Sequence, residues 1–93
     1  MNLLAADGDD LFLEILRACL DARAIPTRIA RTRRDCFALM RSDPPDLLIL
    51  ESEFAWGPDG VATAMSETPL LRETPVILLT DSHRAAREPD LPP

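Results

Sequence analysis

Lysine is absent from the 93-residue sequence, so its ten basic residues are all arginines. Any chemistry that needs an ammonium group would have to take that group from another chain. Sixteen acidic residues give a formal net charge of -6. This balance argues against general nucleic-acid binding, because a phosphate backbone demands a positive protein face. We therefore expect no nucleic-acid partner.

Long hydrophobic runs are also missing. No apolar run approaches the roughly 20 residues that a membrane-spanning helix requires, so we expect no membrane contact. Residues 1–10 are acidic and lack the basic flank and cleavage site of a secretory signal. Both absences favour a cytoplasmic location.

Cysteine and histidine are scarce: the sequence has only Cys19, Cys36 and His83, from which no familiar zinc spacing can be assembled. Both cysteines lie in apolar helical patterns and are interpreted as reduced thiols in the core. A glycine-rich phosphate loop and a nucleophile–base pair are missing as well. We therefore predict that the chain is not an enzyme.

The composition that is present, 46% hydrophobic and 28% charged, is typical of one small globular domain. Four short apolar segments predict β-strands over Leu3–Ala6, Thr27–Ala30, residues 47–50 and Val76–Leu79. The third and fourth segments are apolar at every position, which is typical of parallel strands buried on both faces. The second contains an arginine and suits a sheet edge.

Amphipathic segments predict helices between these strands. The first begins near Asp9 or Asp10, either of which can cap it. Its apolar residues recur at helical spacing: Phe12, Ile15, Leu16, Cys19 and Leu20.

Thr32 and Asp35 resemble a capping box that opens a second helix, which must end at residues 43–45 because proline cannot continue it. Its predicted apolar face consists of Cys36, Phe37, Leu39 and Met40. A loop over residues 56–60 precedes a short third helix that contains Val61, Ala64 and Met65.

This alternation of strands and helices, joined by right-handed crossovers, predicts an open, doubly wound parallel α/β sheet. The domain is predicted to span residues 2–81. Residues 82–93 contain one leucine and three prolines, and we interpret them as a disordered or frayed tail.

Polar side chains stand at the carboxyl ends of the predicted strands, where open α/β sheets bind ligands. They are Asp7, Asp9, Glu51 and Thr80. Their oxygens could hold a hard cation such as Mg²⁺, or the carboxylates could cap helix N-termini. The spacing leaves both interpretations open.

Residues 5–14 (AADGDDLFLE), 45–51 (PDLLILE) with 59–60 (DG), and 74–80 (TPVILLT) occur in the order found in one known family. Together they resemble a bacterial response-regulator receiver domain of the CheY-like type. The resemblance implies a flavodoxin-like fold with strand order 2-1-3-4-5, and it implies that Thr80 is the switch hydroxyl.

The resemblance also shows where the chain departs from the family. Glu51 stands at the position of the phosphoacceptor aspartate, and Gly8 replaces an acidic magnesium ligand. We interpret Gly8 as fitting a backbone turn. The lysine that would pair with the phosphoryl group is missing, together with the fifth strand and fifth helix. The resemblance is thus to a degenerate receiver with a truncated C-terminus.

These departures predict a pseudo-receiver of two-component phosphorelay ancestry that binds proteins independently of phosphorylation. The pocket would keep Asp7 and Asp9 but bind Mg²⁺ weakly at most, so no cofactor is expected. The alternative is a magnesium-dependent receiver that accepts a phosphoryl group at Glu51 or Asp59.

The missing elements would leave Val76–Leu79 as an uncovered edge strand, which is a template for pairing with another chain. Its candidate interface residues are Val76, Ile77 and Leu78, and Trp56 is a further candidate contact. We expect the partner to be another protein or a second copy of this chain.

Overall fold

The computed structural model describes residues 1–80, in which four parallel strands alternate with helices. The elements in chain order are β1 (Leu3–Ala6), α1 (Asp10–Asp21), β2 (Thr27–Ala30), α2 (Arg33–Ser42), β3 (Leu47–Glu51), α3 (Ser52–Ala55), α4 (Val61–Ser66) and β4 (Val76–Leu79). The strand order is β2-β1-β3-β4, and every pairing is parallel. The predicted open parallel α/β sheet is confirmed.

The main core lies on one face of this sheet. Alternate residues of the central strands, including Leu4, Leu48 and Leu50, pack there against side chains of α2, α3 and α4. Leu3, Ala5 and Leu13 are buried outside this cluster. By strand alternation Leu3 and Ala5 belong to the opposite face, and Leu13 is the buried residue of α1.

Both long helices begin at capped residues. The N–H of Phe12 donates to Oδ1 of Asp9 at 3.1 Å, so Asp9 is the cap of α1. The N–H of Asp35 donates to Oγ1 of Thr32 at 3.0 Å, as the capping-box pattern predicts. The second helix ends at Ser42, before the prolines.

The predicted apolar face of α1 is partly wrong. Leu13 is fully buried, whereas Ile15 is 55% exposed and Cys19 is also exposed. The buried side runs through Leu13 and the half-buried Leu16 and Leu20. Because α1 packs mainly beside the edge strand β2, it buries a narrower stripe than a helix laid across the middle of a sheet.

Cys36 is buried as predicted, but Cys19 is not a core thiol. Helix α3 was not predicted: it begins directly after β3, where the sequence has no long apolar repeat. The apolar strand β3 is fully buried at Leu48 and Leu50 but only half-buried at Leu47 and Ile49. Strand β3 is therefore fully buried on one face of the sheet and only half-buried on the other.

Among the described residues, β4 is the far edge strand of the sheet. Val76, Ile77 and Leu78 are 39%, 48% and 42% exposed. Within residues 1–80, no helix is long and apolar enough to span a membrane. Asp81, His83 and the predicted tail 82–93 lie outside the described residues.

Candidate functional site

The carboxyl ends of β1, β3 and β4 border an open cleft of about 590 Å³. Parallel pairing brings these ends together, since Ala6 aligns with Leu50 and Glu51 aligns with Leu79. The four sequence-predicted site residues all line the cleft: Asp7, Asp9, Glu51 and Thr80.

The carboxylates of Asp7, Asp9 and Glu51 each accept a hydrogen bond from a nearby backbone N–H. Oδ1 of Asp7 accepts from the N–H of Asp9 at 2.9 Å, and Oδ1 of Asp9 accepts from the N–H of Phe12. Oε2 of Glu51 accepts from the N–H of Glu53 at 3.0 Å, at the start of α3. These contacts are those of turns and helix caps, where the exposed N–H groups of a helix need acceptors.

The same side chains do not assemble a metal site. Among residues 1–80, no group of three or more aspartate, glutamate, histidine or cysteine side chains is placed to hold a metal ion. Magnesium prefers near-octahedral coordination by oxygen atoms, and this cleft offers carboxylates that point to separate backbone partners. Among the described residues, the three carboxylates thus serve separate backbone N–H groups and do not form a shared set of ligands.

Gly8 lies in a bend between Asp7 and Asp9, but its backbone does not require glycine. Of the glycines, only Gly57 has a positive φ, so the backbone at Gly8 is one that other residues adopt. A Cβ atom added at Gly8 would lie 3.9 Å from Cζ of Phe54, an ordinary contact. The Asp7 side chain makes the local turn by accepting from Asp9, which removes the need for glycine.

Asp59, the alternative acceptor residue, lines a second cleft of about 730 Å³ and not the first. The second cleft was not predicted from the sequence. The cluster of Arg31, Arg33 and Arg34 near the start of α2 is the feature that could have indicated it. The Arg33 guanidinium lies 5.7 Å from the Phe54 ring centroid and donates to the carbonyl of Glu53. Arg31 forms ion pairs with Asp10 and Glu14. Arg31 and Arg33 are thus engaged by contacts within the chain.

Two apolar surfaces lie outside both clefts. Trp56 is 60% exposed, so its ring does not cover the core beneath the loop. The three exposed residues of β4 form the other surface, at the open edge of the sheet.

Comparisons with known proteins bear on this architecture. No family model and no curated protein sequence matches the chain. Solved structures do match. The N-terminal domain of a response regulator receiver protein from Methanoculleus marisnigri JR1 has a TM-score of 0.74 at 21% identity, with 94% of this chain and 75% of that chain covered. The described part of the chain has the receiver-domain fold.

Two further receiver structures agree with this result. The signal receiver domain of a signal transduction histidine kinase from Syntrophus aciditrophicus gives a TM-score of 0.70 at 23% identity, with 94% of this chain and 69% of that chain covered. The N-terminal domain of a response regulator/sensory box/GGDEF 3-domain protein from Carboxydothermus hydrogenoformans gives 0.69 at 25% identity, with coverages of 86% and 64%. Residues 1–80 reproduce the receiver strand order through the fourth strand.

Proposed function

We propose that the chain is a receiver-like signalling module that acts by protein contact and does not accept a phosphoryl group. The observation that carries this proposal is the engagement of Glu51 at the acceptor position. Its carboxylate accepts from the backbone N–H of Glu53. This contact directs one carboxylate oxygen toward the start of α3, and the glutamate carboxylate lies one methylene further along its side chain than that of an aspartate. Displacement of an acceptor by about 1 Å can cost two orders of magnitude in rate.

The charges around Glu51 support the same conclusion. Phosphoryl transfer depends on cations that neutralise the charge developing on the transferred group. The sequence contains no lysine, and the acidic side chains of the cleft do not form a metal site within residues 1–80. Thr80 is exposed at the rim of the cleft. In the proposed role no residue of the cleft is phosphorylated, so the Thr80 hydroxyl does not act as a switch.

In this role the module is cytoplasmic, catalyses no reaction and needs no cofactor. Its contacts are with protein, not with nucleic acid or a membrane. The exposed apolar residues of β4, together with Trp56, are the surfaces assigned to binding, because contiguous exposed apolar surface marks interaction sites.

The test is exposure of the purified chain to acetyl phosphate with millimolar Mg²⁺, followed by intact-mass measurement. We expect no added phosphoryl mass. We also expect none on Glu51→Asp, nor on the Gly8→Asp/Glu51→Asp double variant, because neither restores the missing lysine. A Cβ atom at position 8 makes only an ordinary contact, 3.9 Å from Cζ of Phe54, so Gly8→Asp is expected to fold.

Magnesium titration provides a second readout of the same proposal. Trp56 fluorescence and the amide shifts of Asp7, Asp9 and Glu51 should show no saturable change at millimolar Mg²⁺. A phosphoryl adduct on the unmutated chain, or a saturable magnesium site, would support the phosphoryl-accepting alternative and overturn the proposal.

A further inference from the structure

The second cleft, of about 730 Å³, lies between α2 and α4. Its volume is within the roughly 300–1,000 Å³ typical of small-molecule sites. Its apolar surface continues the core, because Val61 is buried and the half-buried Phe37 and Phe54 pack against the buried cluster. The cleft therefore has a hydrophobic base on which a flat apolar group can lie.

Two phenylalanine rings, those of Phe37 and Phe54, make this base aromatic. The Arg33 guanidinium, which lines the same cleft, lies 5.7 Å from the centroid of the Phe54 ring and extends that surface with a second flat group. Aromatic rings pack favourably on one another in offset-stacked or edge-to-face arrangements, and guanidinium planes stack on them as well. An aromatic occupant therefore gains more from this base than an aliphatic one of the same size.

Charged side chains stand on both walls of the cleft. Arg34, on α2, is exposed and forms no hydrogen bond or ion pair with any of residues 1–80. On the other wall, Asp59 precedes α4 and Glu67 follows it. The carboxylates of these two residues are likewise without a partner in the described part of the chain. The cleft thus offers an unpaired cation beside α2 and unpaired carboxylates beside α4.

We propose that this cleft binds a small aromatic molecule that carries both a carboxylate and an ammonium group, the chemistry of a free aromatic amino acid. The ring lies on the base formed by Phe37 and Phe54. The carboxylate accepts from the Arg34 guanidinium, whose planar fork matches a carboxylate in two parallel hydrogen bonds. The ammonium group lies toward Asp59 and Glu67.

The charges of the cleft favour a ligand with both groups over a ligand with one. A purely anionic aromatic compound would bring its charge close to Asp59 and Glu67, in a chain of net charge -6. A purely cationic one would leave Arg34 without a counter-ion. Because opposite charges attract and like charges repel at these distances, only a ligand that carries both charges is complementary to both walls.

The same argument separates a free amino acid from an aromatic side chain of a partner protein. Within a polypeptide, peptide bonds replace the ammonium and carboxylate groups, so an internal residue brings only its ring to the cleft. The inference also goes beyond the proposed function, because the two clefts share only Phe54 among their lining residues. For a ligand of about 15 non-hydrogen atoms in an open cleft, we expect a Kd of about 1 mM.

Titration of the purified chain with L-tryptophan, followed through the backbone amide shifts, tests the proposal. Saturable shifts should appear around the cleft, at Arg34, Phe37, Phe54 and Ala64, and not along β4. Indole-3-propionate lacks the ammonium group and tryptamine lacks the carboxylate, so each should bind at least about five-fold more weakly. N-acetyltryptophanamide, in which amides replace both charges, represents a residue within a peptide and should bind more weakly still. L-leucine tests the requirement for a ring and should show no saturation.

Substitution of Arg34 tests the carboxylate contact. Arg34→Gln should weaken tryptophan binding about ten-fold, because a charge-assisted hydrogen-bonded pair is lost. The same variant should not weaken tryptamine binding, since tryptamine has no carboxylate. Arg72→Gln is the matched control: Arg72 is exposed and does not line the cleft, so this variant should bind tryptophan like the unmutated chain.

A second variant tests the location of the site by filling it. Ala64 is half-buried and lines the cleft, so the larger side chain of Ala64→Leu should remove saturable binding up to about 10 mM, ten times the expected Kd. Ala18→Leu, at an exposed residue of α1, makes the same change elsewhere and should bind normally. Circular dichroism checks that each variant is folded, and Arg34→Gln, at an exposed residue, keeps the test decisive if Ala64→Leu is not.

Three results would overturn the inference. One is tryptophan binding outside the cleft, and another is equal affinity for tryptophan, indole-3-propionate and N-acetyltryptophanamide. The third is the absence of saturable shifts up to about 10 mM, which includes the case in which another part of the chain occupies the cleft. The proposed function is decided separately, by the phosphoryl and magnesium readouts at the strand ends.

Discussion

At the scale of single residues, the three glycines have different roles. Gly57 has a φ of 93°, and Gly8 has space for a side chain. Gly60 caps α4 where the chain passes close to the end of α3. A Cβ atom at Gly60 would lie 2.3 Å from the carbonyl oxygen of Ala55 and 2.7 Å from the carbonyl carbon of Trp56. These are backbone atoms and cannot move aside independently.

Gly60→Ala should therefore lower the free energy of unfolding by about 1–3 kcal/mol, the range typical of overpacking. Gly8→Ala is the matched control and should change it by less than about 1 kcal/mol, since its Cβ meets only an ordinary contact. Urea unfolding followed by circular dichroism measures both. Equal losses for the two variants would contradict the close approach at Gly60.

The two cysteines also differ sharply. Cys36 is fully buried, and burial raises the pKa of its thiol from 9.0 to about 12, because the thiolate loses its hydration. Cys19 is exposed. A thiol reagent at mildly alkaline pH should modify Cys19 at once and reach Cys36 only when the chain unfolds.

The raised pKa of Cys36 also predicts how stability depends on pH. Above pH 9.0 the unfolded chain loses the Cys36 proton whereas the folded chain keeps it up to about pH 12. Between these pH values, loss of the Cys36 proton favours the unfolded chain. The free energy of unfolding should therefore fall by about 1.4 kcal/mol per pH unit in that window. Below pH 9.0 this contribution to stability is fully present. Urea titrations of the unmutated chain and Cys36→Ala test it: the variant should lack this component of the alkaline decline.

At the scale of elements, α2 links the core to the β2 edge. It buries Cys36 and Met40 while its C-terminal carbonyls receive Arg28. Its N-terminus depends on Thr32, whose Oγ1 accepts from the N–H of Asp35.

Thr32→Ala should cost about 1 kcal/mol of stability, because one N–H at the start of the helix loses its acceptor. Thr32→Ser retains the hydroxyl and should stay within about 0.5 kcal/mol of the unmutated chain. Thermal unfolding of the three proteins compares them. If alanine and serine were equally well tolerated, the cap would contribute nothing to α2.

At the scale of the whole molecule, stability is concentrated on one side of the sheet. The face covered by α2, α3 and α4 contains most of the fully buried leucines, whereas Leu13 is buried on the α1 side and both faces of β4 are exposed. A chain of this size has only about 5–14 kcal/mol of stability in total, so a single core residue accounts for a large fraction.

Leu50→Ala, at a residue with 0% exposure, should therefore cost about 2–5 kcal/mol through the cavity it leaves. Ile77→Ala, at a residue 48% exposed, should cost less than about 1.5 kcal/mol in the monomer. Both are measured by urea unfolding of dilute protein. Equal costs would mean that β4 is covered in solution even when the chain is monomeric.

The sequence by itself determined the four strands, the cap of α2 and the alternation of the strands with helices α1, α2 and α4. These features depend on local hydrogen bonds and on apolar patterns only a few residues long, such as Thr32 with Asp35 or the run at residues 47–50. The parallel direction of the strands followed from the alternation, and the positions of Asp7, Asp9, Glu51 and Thr80 at one end of the sheet followed from that direction.

Only the tertiary structure decided which apolar residues are covered. Ile15 and Cys19 match the helical pattern as well as Leu16 does, but burial depends on where α1 crosses the sheet, and α1 lies toward β2. It likewise decided that the carboxylates of Asp9 and Glu51 serve backbone N–H groups and that Gly8 needs no special conformation. Such contacts depend on the spatial direction of each side chain, which residue spacing along a chain does not specify.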